Sequence, residues 1–202
     1  MSRGFNIQNF KSAIDSNKGL LRSSHFLVDI PVPVKLRGIL NQNSLSTNGN
    51  DLAFYCKAAP LPGIGVLTDD IQRYGYASSD RRPTGVVYND AMLQFHVDAN
   101  NKVRKWFRSW FKLIVNPDSR NGINTISNIN GASAYEMSYK QDYAVDVRVT
   151  SFDPEGNPVI SIVMVDAFPN YVGETMQDWD AKNQNMLMQV SFTYRDWYEE
   201  SI

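Results

Sequence analysis

One cysteine and two histidines are all that 202 residues offer to thiol, disulfide and imidazole chemistry. A lone Cys56 closes no internal disulfide and fits a reducing compartment. Together with His25 and His96, far apart in sequence, it is also too little for a clustered Cys/His zinc site. Long apolar runs are equally scarce: Val163–Val165 and Leu113–Val115 stop far short of the roughly 20 residues that a membrane-spanning helix needs. The start, Met1-Ser2-Arg3-Gly4-Phe5-Asn6, has no apolar stretch followed by small residues, so no secretory signal is expected. Gly63-Ile64-Gly65 lacks the third glycine and the following helix of a dinucleotide fingerprint, and no phosphate loop with Gly-Lys-Ser/Thr occurs. The sequence therefore predicts no cofactor and no metal. An excess of charge is missing too: 20 Lys+Arg against 21 Asp+Glu argues against a dedicated nucleic-acid binder, which shows a domain-wide basic surplus.

What is present is the material of a core. With 43% hydrophobic and 12% aromatic residues, general disorder and low-complexity fibres are excluded, and the length suits one folded domain with an appendage. The neutral total hides an asymmetry. Residues 1–120 hold 16 basic and 9 acidic side chains, residues 121–202 hold 4 and 12. Such a split is either matched within the chain or offered by one copy to the next.

Ile7, Phe10 and Ile14 recur at three and four, which predicts a weakly amphipathic helix over 6–17. Residues 1–23 are accordingly an N-terminal helical extension, and 24–202 a single domain. Phe26, Val28 and Ile30 share one face of a strand that Pro31 and Pro33 end. Residues 34–50 read as an exposed excursion and Leu52 to Ala58 as a strand. From Gly63 to Asn89 the pattern is extended but polar, with Tyr74, Tyr76, Val86, Val87 and Tyr88 around a charged tip, Asp80-Arg81-Arg82-Pro83, which describes a long ribbon.

In Ala91–Asp98 the residues Ala91, Leu93, Phe95 and Val97 alternate with Met92, Gln94, His96 and Asp98. Val103, Trp106, Phe107, Trp110, Phe111 and Ile114 then recur at helical spacing, with Lys102, Arg104, Lys105, Arg108 and Lys112 on the remaining face. Burying six such side chains is worth at most about 9–18 kcal/mol, enough to pin this helix across a sheet. The Asn-, Ser- and Gly-rich stretch 116–134 predicts a loop. Three strands follow: Asp142–Val149 alternating, Val159–Asp166 almost wholly apolar, and a last one with Met186, Met188, Val190, Phe192 and Tyr194 opposite Gln189, Ser191, Thr193 and Arg195. A hairpin turn, Asp153-Pro154-Glu155-Gly156-Asn157, joins the first two. No internal repeat occurs.

Nothing in this pattern assembles a nucleophile with a base, since His25 and His96 both fall within strand patterns. Glu174, Asp178 and Asp180 are of the type that hydrolyses glycosides, but any folded domain holds such clusters. No enzyme is predicted.

The order of motifs carries more than any one of them. A strand like His25–Ile30 leads to Phe54-Tyr55-Cys56-Lys57-Ala58-Ala59-Pro60-Leu61-Pro62-Gly63. A polar ribbon, a strand and an aromatic helix follow. The end of the chain supplies Phe168-Pro169-Asn170-Tyr171-Val172-Gly173-Glu174, Asp178-Trp179-Asp180, Asn183 and Val190-Ser191-Phe192-Thr193-Tyr194-Arg195-Asp196-Trp197. This ordered set resembles the tail tube proteins of contractile-tailed bacteriophages over most of residues 24–198. The excursions 34–50 and 116–134 and the helical start depart from a minimal tube protein.

The resemblance implies a mainly β (α+β) sandwich or barrel-type fold with one main amphipathic helix packed on the sheets. Hexameric rings would close a barrel between subunits and stack into a tube through which DNA is ejected, without specific DNA binding. It implies partners: further copies of the chain, a sheath protein, baseplate or tube-initiator proteins, and a tape measure protein inside the bore. It also implies a place in the virion tail, after assembly in the cytoplasm of the bacterial host.

On that footing Gln94, His96, Asp142, Asp146, Gln189, Ser191 and Thr193 are expected to line the channel, with Arg148 close enough to neutralise Asp146. Asp80, Arg81 and Arg82 are expected to touch the next ring, and Arg104, Lys105, Arg108 and Lys112 to face outward to the sheath. Two alternatives stay open: a baseplate ring that initiates the tube, and a β-sandwich module that binds or cleaves glycans.

Overall fold

The computed structural model describes residues 6–16, 20–71, 79–115, 137–180 and 184–201. Tyr74, Tyr76, Asn183 and the expected loop 116–134 lie outside them. Four α-helices precede the main strand run: α1 (Ile7–Ser16), α2 (Val34–Gln42), α3 (Asn50–Tyr55) and, later, α4 (Lys102–Ile114), with a one-turn α5 (Lys140–Tyr143). The strands are β1 (Phe26–Asp29), β2 (Cys56–Ala58), β3 (Ile64–Ile71), β4 (Asp80–Tyr88), β5 (Ala91–His96), β6 (Val145–Phe152), β7 (Pro158–Val172), β8 (Leu187–Thr193) and β9 (Asp196–Glu200). Seven of them form one antiparallel, nearly closed, barrel-like sheet in the order β1-β6-β7-β8-β5-β2, with β9 alongside β7. Among the described strands β3 and β4 pair only with each other.

The long β7 is the hinge of the sheet. Its first half pairs with β6 and β9, its second half with β8. Two irregularities let one strand serve both. Asp166 has a left-handed backbone (φ 54), where β6 skips from Val145↔Ala167 to Val147↔Met164, and a second skip falls between Pro169 and Tyr171. Each extra residue shifts the side-chain alternation by one and bends the strand. Met164 and Ala167, three apart, consequently both reach the core.

The core lies between this sheet and α4. Val103, Trp106, Phe107, Trp110 and Leu113 are buried along one face of α4, meeting Leu93 and Phe95 of β5 and Val190 and Phe192 of β8. The rings stack edge to face or tilted: Phe95 to Phe107 at 5.0 Å, Trp106 to Trp110 at 5.3 Å, Trp110 to Phe192 at 5.9 Å. Asp98 Oδ1 accepts the Val103 N–H at 3.1 Å and so serves the exposed donors of the first turn of α4. At the other end the Trp110 indole N–H donates to the Tyr143 carbonyl at 2.9 Å.

Three elements differ from the sequence expectation. Residues 34–50 are not an exposed excursion: α2 follows Pro33, packs beside α4, and buries Leu36, Ile39 and Leu40, with Leu45 behind it. Proline is well suited to the start of a helix, and 36, 39, 40 is helical spacing. Leu52–Ala58 is not one strand but α3 followed by the short β2, because Leu52 turns into the core beneath Gly49. The strand expected from Asp142 starts only at Val145, with 140–143 coiled into α5.

Candidate functional site

The register of β5 on β8 sets Gln94 opposite Gln189, Met92 opposite Ser191 and His96 opposite Leu187. Residues directly opposite in an antiparallel pair share a face. Gln94, His96, Gln189 and Ser191 are thereby brought together on the side of the sheet away from α4, Gln189 exposed, Gln94 and His96 half-buried and Ser191 buried. Exposed Met92 and, opposite Ser191, Tyr171 join them, so this face is mixed rather than wholly polar. Among the described residues the buried His96 Nδ1 has no hydrogen-bond partner.

Thr193 ends the same face but is engaged. Its hydroxyl donates to Asp90 Oδ1 at 2.6 Å and accepts from Asn170 Nδ2 at 2.8 Å, while Asn170 also donates to Asp90 Oδ2 at 2.6 Å. This knot ties the ends of β5, β7 and β8 together. Beside it the Tyr194 hydroxyl donates to the Asn89 carbonyl at 2.7 Å; burial first, then the Asp90 charge, pushes its pKa up.

The two aspartates do not join the cluster. Asp142 sits in α5, off the sheet, where its carboxylate accepts Lys35 Nζ at 2.6 Å and ties α5 to α2. Asp146 is on β6 and accepts the Asp166 N–H at 3.0 Å, steadying the left-handed residue of β7. Arg148 does not neutralise it: the guanidinium pairs with Glu200 of β9 at 3.2 Å. Asp166 in turn accepts Lys140 and Arg195, each at close to 3.2 Å or 3.3 Å. The sequence reading stopped short of β9, whose Asp196, Tyr198 and Glu200 extend the outward face over β7. Its signal was an alternation too short to separate from β8.

The ribbon forms as expected, β3 on β4, and its described end carries the charged trio. Asp80, Arg81 and Arg82 are not its turn, since 72–78 intervene; they lie on the stem opposite Ile71, Asp70 and Asp69. Arg81 pairs with Asp70 at 3.1 Å and Arg82 with Asp80 at 3.3 Å, all well exposed. Ile64, Val66, Leu67, Ile71, Val86 and Val87 all stand in solvent along this ribbon. At its root Trp197 Nε1 donates to the Gly63 carbonyl at 3.4 Å.

On α4, Arg104, Lys105 and Arg108 are exposed and Lys112 is half-buried, opposite the apolar stripe. Shallow grooves flank this basic face, one toward Asn170–Val172, the other toward Ile39, Gln42 and Asn43 of α2.

Among the described residues no arrangement of reacting groups emerges. His25 Nδ1 lies 3.3 Å from the Asp153 carbonyl, and that turn holds the Asp153 carboxyl below its usual range, chiefly through the Asn157 N–H. Cys56 is half-buried rather than fully in the core; burial pushes its thiol up to about 12, so it carries no thiolate near neutrality. Glu174, Asp178 and Asp180 are exposed, and Asp178 is spent accepting the Asp180 N–H at 2.9 Å. Among the described residues no three metal-ligating side chains meet, and no helix is long and apolar enough to cross a membrane.

A family model described as phage tail tube protein matches residues 21–200. No curated protein matches by sequence. Among solved structures the chain resembles one in the cryo-EM structure of the 6-fold symmetrised anti-feeding prophage (AFP) baseplate, at TM-score 0.55 and 12% identity over 90% of this chain and 95% of that one. A chain of the PVC sheath/tube terminator, from an extracellular contractile injection system in the extended state, matches at TM-score 0.50 and 11% identity over 90% and 97%. One from the AFP tube-terminating cap matches at 0.50 and 13% over 91% and 92%. At such identities the likeness is one of fold.

Proposed function

Since the chain belongs to the phage tail tube protein family, a structural and non-enzymatic one, we propose that it forms hexameric rings that stack into the inner tube of a contractile tail, the conduit for DNA ejection. The observation that carries this is the ribbon. A two-stranded sheet is marginal in water by itself, yet among the described residues β3 and β4 pair with no third strand and hold six large apolar side chains in solvent. Such an element is finished by a neighbour, and its exposed edges invite strand pairing that closure in a ring would use up. The 6-fold symmetry of the AFP baseplate assembly, which holds a chain of this fold, fits six subunits.

In this reading the face of Gln94, His96, Gln189 and Ser191 lines the bore, where neutral groups let phosphate pass without adhering. Asp146 faces the bore from the β6 side and Thr193, already bonded to Asp90, shapes its wall, while Asp142, tied to Lys35 of α2, stands off the lining. Asp80, Arg81 and Arg82 reach the next ring. Arg104, Lys105, Arg108 and Lys112 face outward, toward an acidic sheath protein. A tape measure protein occupies the bore before DNA does, baseplate proteins seat the first ring, and the place of work is the virion, after assembly in the bacterial cytoplasm. Residues 1–23 are an appendage to the domain 24–202.

A second reading, a single ring that starts the tube at the baseplate, draws on the likeness to the AFP baseplate chain. Negative-stain microscopy of the purified protein separates the two. Stacked hollow discs are expected, lone rings support the baseplate reading, and dispersed monomers at high concentration overturn both.

A further inference from the structure

Two features lie open at the surface. The first is a groove of about 340 Å³ where α3 meets the start of α4, floored by the core residues Leu45, Leu52 and Trp106, with Phe54 at its edge, 83% exposed, and Lys102 and Asp51 on the rim. The second is the segment 174–180, which leaves β7 without regular structure and holds Met176 and Trp179 fully exposed. That segment carries Glu174, Asp178 and Asp180 and no basic residue. The hydrogen bond from the Asp180 N–H to Asp178 Oδ1, at 2.9 Å, folds a tight turn that presents the indole at its apex.

We propose that the groove of one copy is the socket for Trp179 of a second copy. An indole is a flat apolar body with one donor, and Trp is the residue most often found at the energetic centre of an interface. Phe54, Tyr55 and Trp106 give the groove three rings among mainly apolar neighbours, with Ser46 and Asn48 as its neutral polar members, which suits that body. Basic charge that suits the two aspartates bracketing Trp179 stands beside it: Lys102 lines the groove and Lys105, outside the lining, is three residues further along α4. Asp51 is the one opposing charge on that rim. The copy's own groove is left open, with its own Trp179 in solvent, so the contact is made between chains. This also gives the charge asymmetry of the sequence a use, the basic helix from the first part of one chain meeting the acidic segment from the last part of another. The inference rests on the tube reading only in requiring copies side by side.

The test is crosslinking between chains. In a Cys56→Ser background, one protein carries Asn48→Cys on the groove and another Gln177→Cys beside the indole. Mixed and mildly oxidised, they are expected to give a disulfide-linked dimer, and adding Trp179→Ala to the second protein is expected to cut its yield roughly tenfold or more, as loss of an interface anchor does. Trp179 is fully exposed, so that variant keeps its fold. A linked dimer that persists undiminished with Trp179→Ala overturns the proposal. So does a link formed only when both cysteines share one chain, which places the segment in its own groove. Rings or tubes seen by microscopy with no such link sink this contact and leave the tube reading standing; neither link nor ring sinks both.

Discussion

At the scale of single residues, the fold leans on side chains whose role a change of one group exposes. Trp110 is fully buried, in contact with Trp106 and Phe192, and its N–H is the donor to the Tyr143 carbonyl. Trp110→Ala should cost about 3–5 kcal/mol of stability in guanidinium unfolding. Trp110→Phe keeps most of the packing and loses the donor, for about 1–3 kcal/mol. Gly49 has an ordinary helical φ of −60, so its necessity is one of space: a Cβ there would run into the Ile30 carbonyl. Gly49→Ala should lower stability by about 1–3 kcal/mol, read as a fall in melting temperature. Cys56 gives a prediction in pH. Its thiol is raised to about 12 in the folded chain, above the ordinary value, so the unfolded chain loses that proton first. The contribution is therefore whole below pH ~9 and is lost as pH climbs toward about 12. Thiol reagents at pH 8 should label Cys56 slowly in the native protein and rapidly in denaturant; equal rates would contradict the burial.

At the scale of elements, the ribbon and β7 behave oppositely. β7 is held on both sides, and its irregular alternation is fixed by partners: Asp146 on the Asp166 N–H, and the Arg195 N–H on the Val165 carbonyl at 3.0 Å. The ribbon has no partner beyond itself among the described strands. Its Arg81–Asp70 and Arg82–Asp80 pairs are well exposed, and exposed pairs contribute only about 0–1 kcal/mol. Replacing Arg81 and Arg82 together by Glu should leave the melting temperature of the monomer nearly unchanged and abolish stacking of rings. Sedimentation of the variant beside the parent measures this; tubes of normal length would show that the trio meets no neighbouring ring.

The periodic elements were legible in the sequence. The α4 stripe and the alternation of β5 and β8 recur strictly enough that the core residues Phe95, Phe107, Trp110 and Phe192 follow from spacing alone. α2 was hidden by Pro31 and Pro33, which announce the end of a strand and the start of a helix with the same residue type. The polar face was only partly legible, because period two assigns a side of the sheet but not what lies over it. Asp142 lost its place when the chain coiled into α5 to reach Lys35.

At the scale of the whole molecule, the opposite charge of the two parts of the chain is matched within the fold by Lys35–Asp142. Arg81–Asp70 stays inside the basic part, and Lys140–Asp166 and Arg148–Glu200 stay inside the acidic part. In the proposed assembly, contacts between copies bring the two signs together as well. Raising ionic strength from about 0.05 M to about 0.5 M shortens the screening length severalfold and should move assembly to higher protein concentration, followed by light scattering. An assembly indifferent to salt would mean that apolar burial alone holds the rings.

The sequence by itself determined the core side chains of α4, β5 and β8 and that a polar ribbon stands apart, because both follow from local periodicity. It also carried the ordered motifs of the tube family. Only the tertiary structure decided which polar residues share a surface. Three extra residues in β7 reset its alternation, and long-range partners, Lys35 for Asp142, Asp90 for Thr193 and Glu200 for Arg148, claimed side chains that spacing had left free. Pairing of this kind joins residues 52 to 107 positions apart, which no local window along the chain contains.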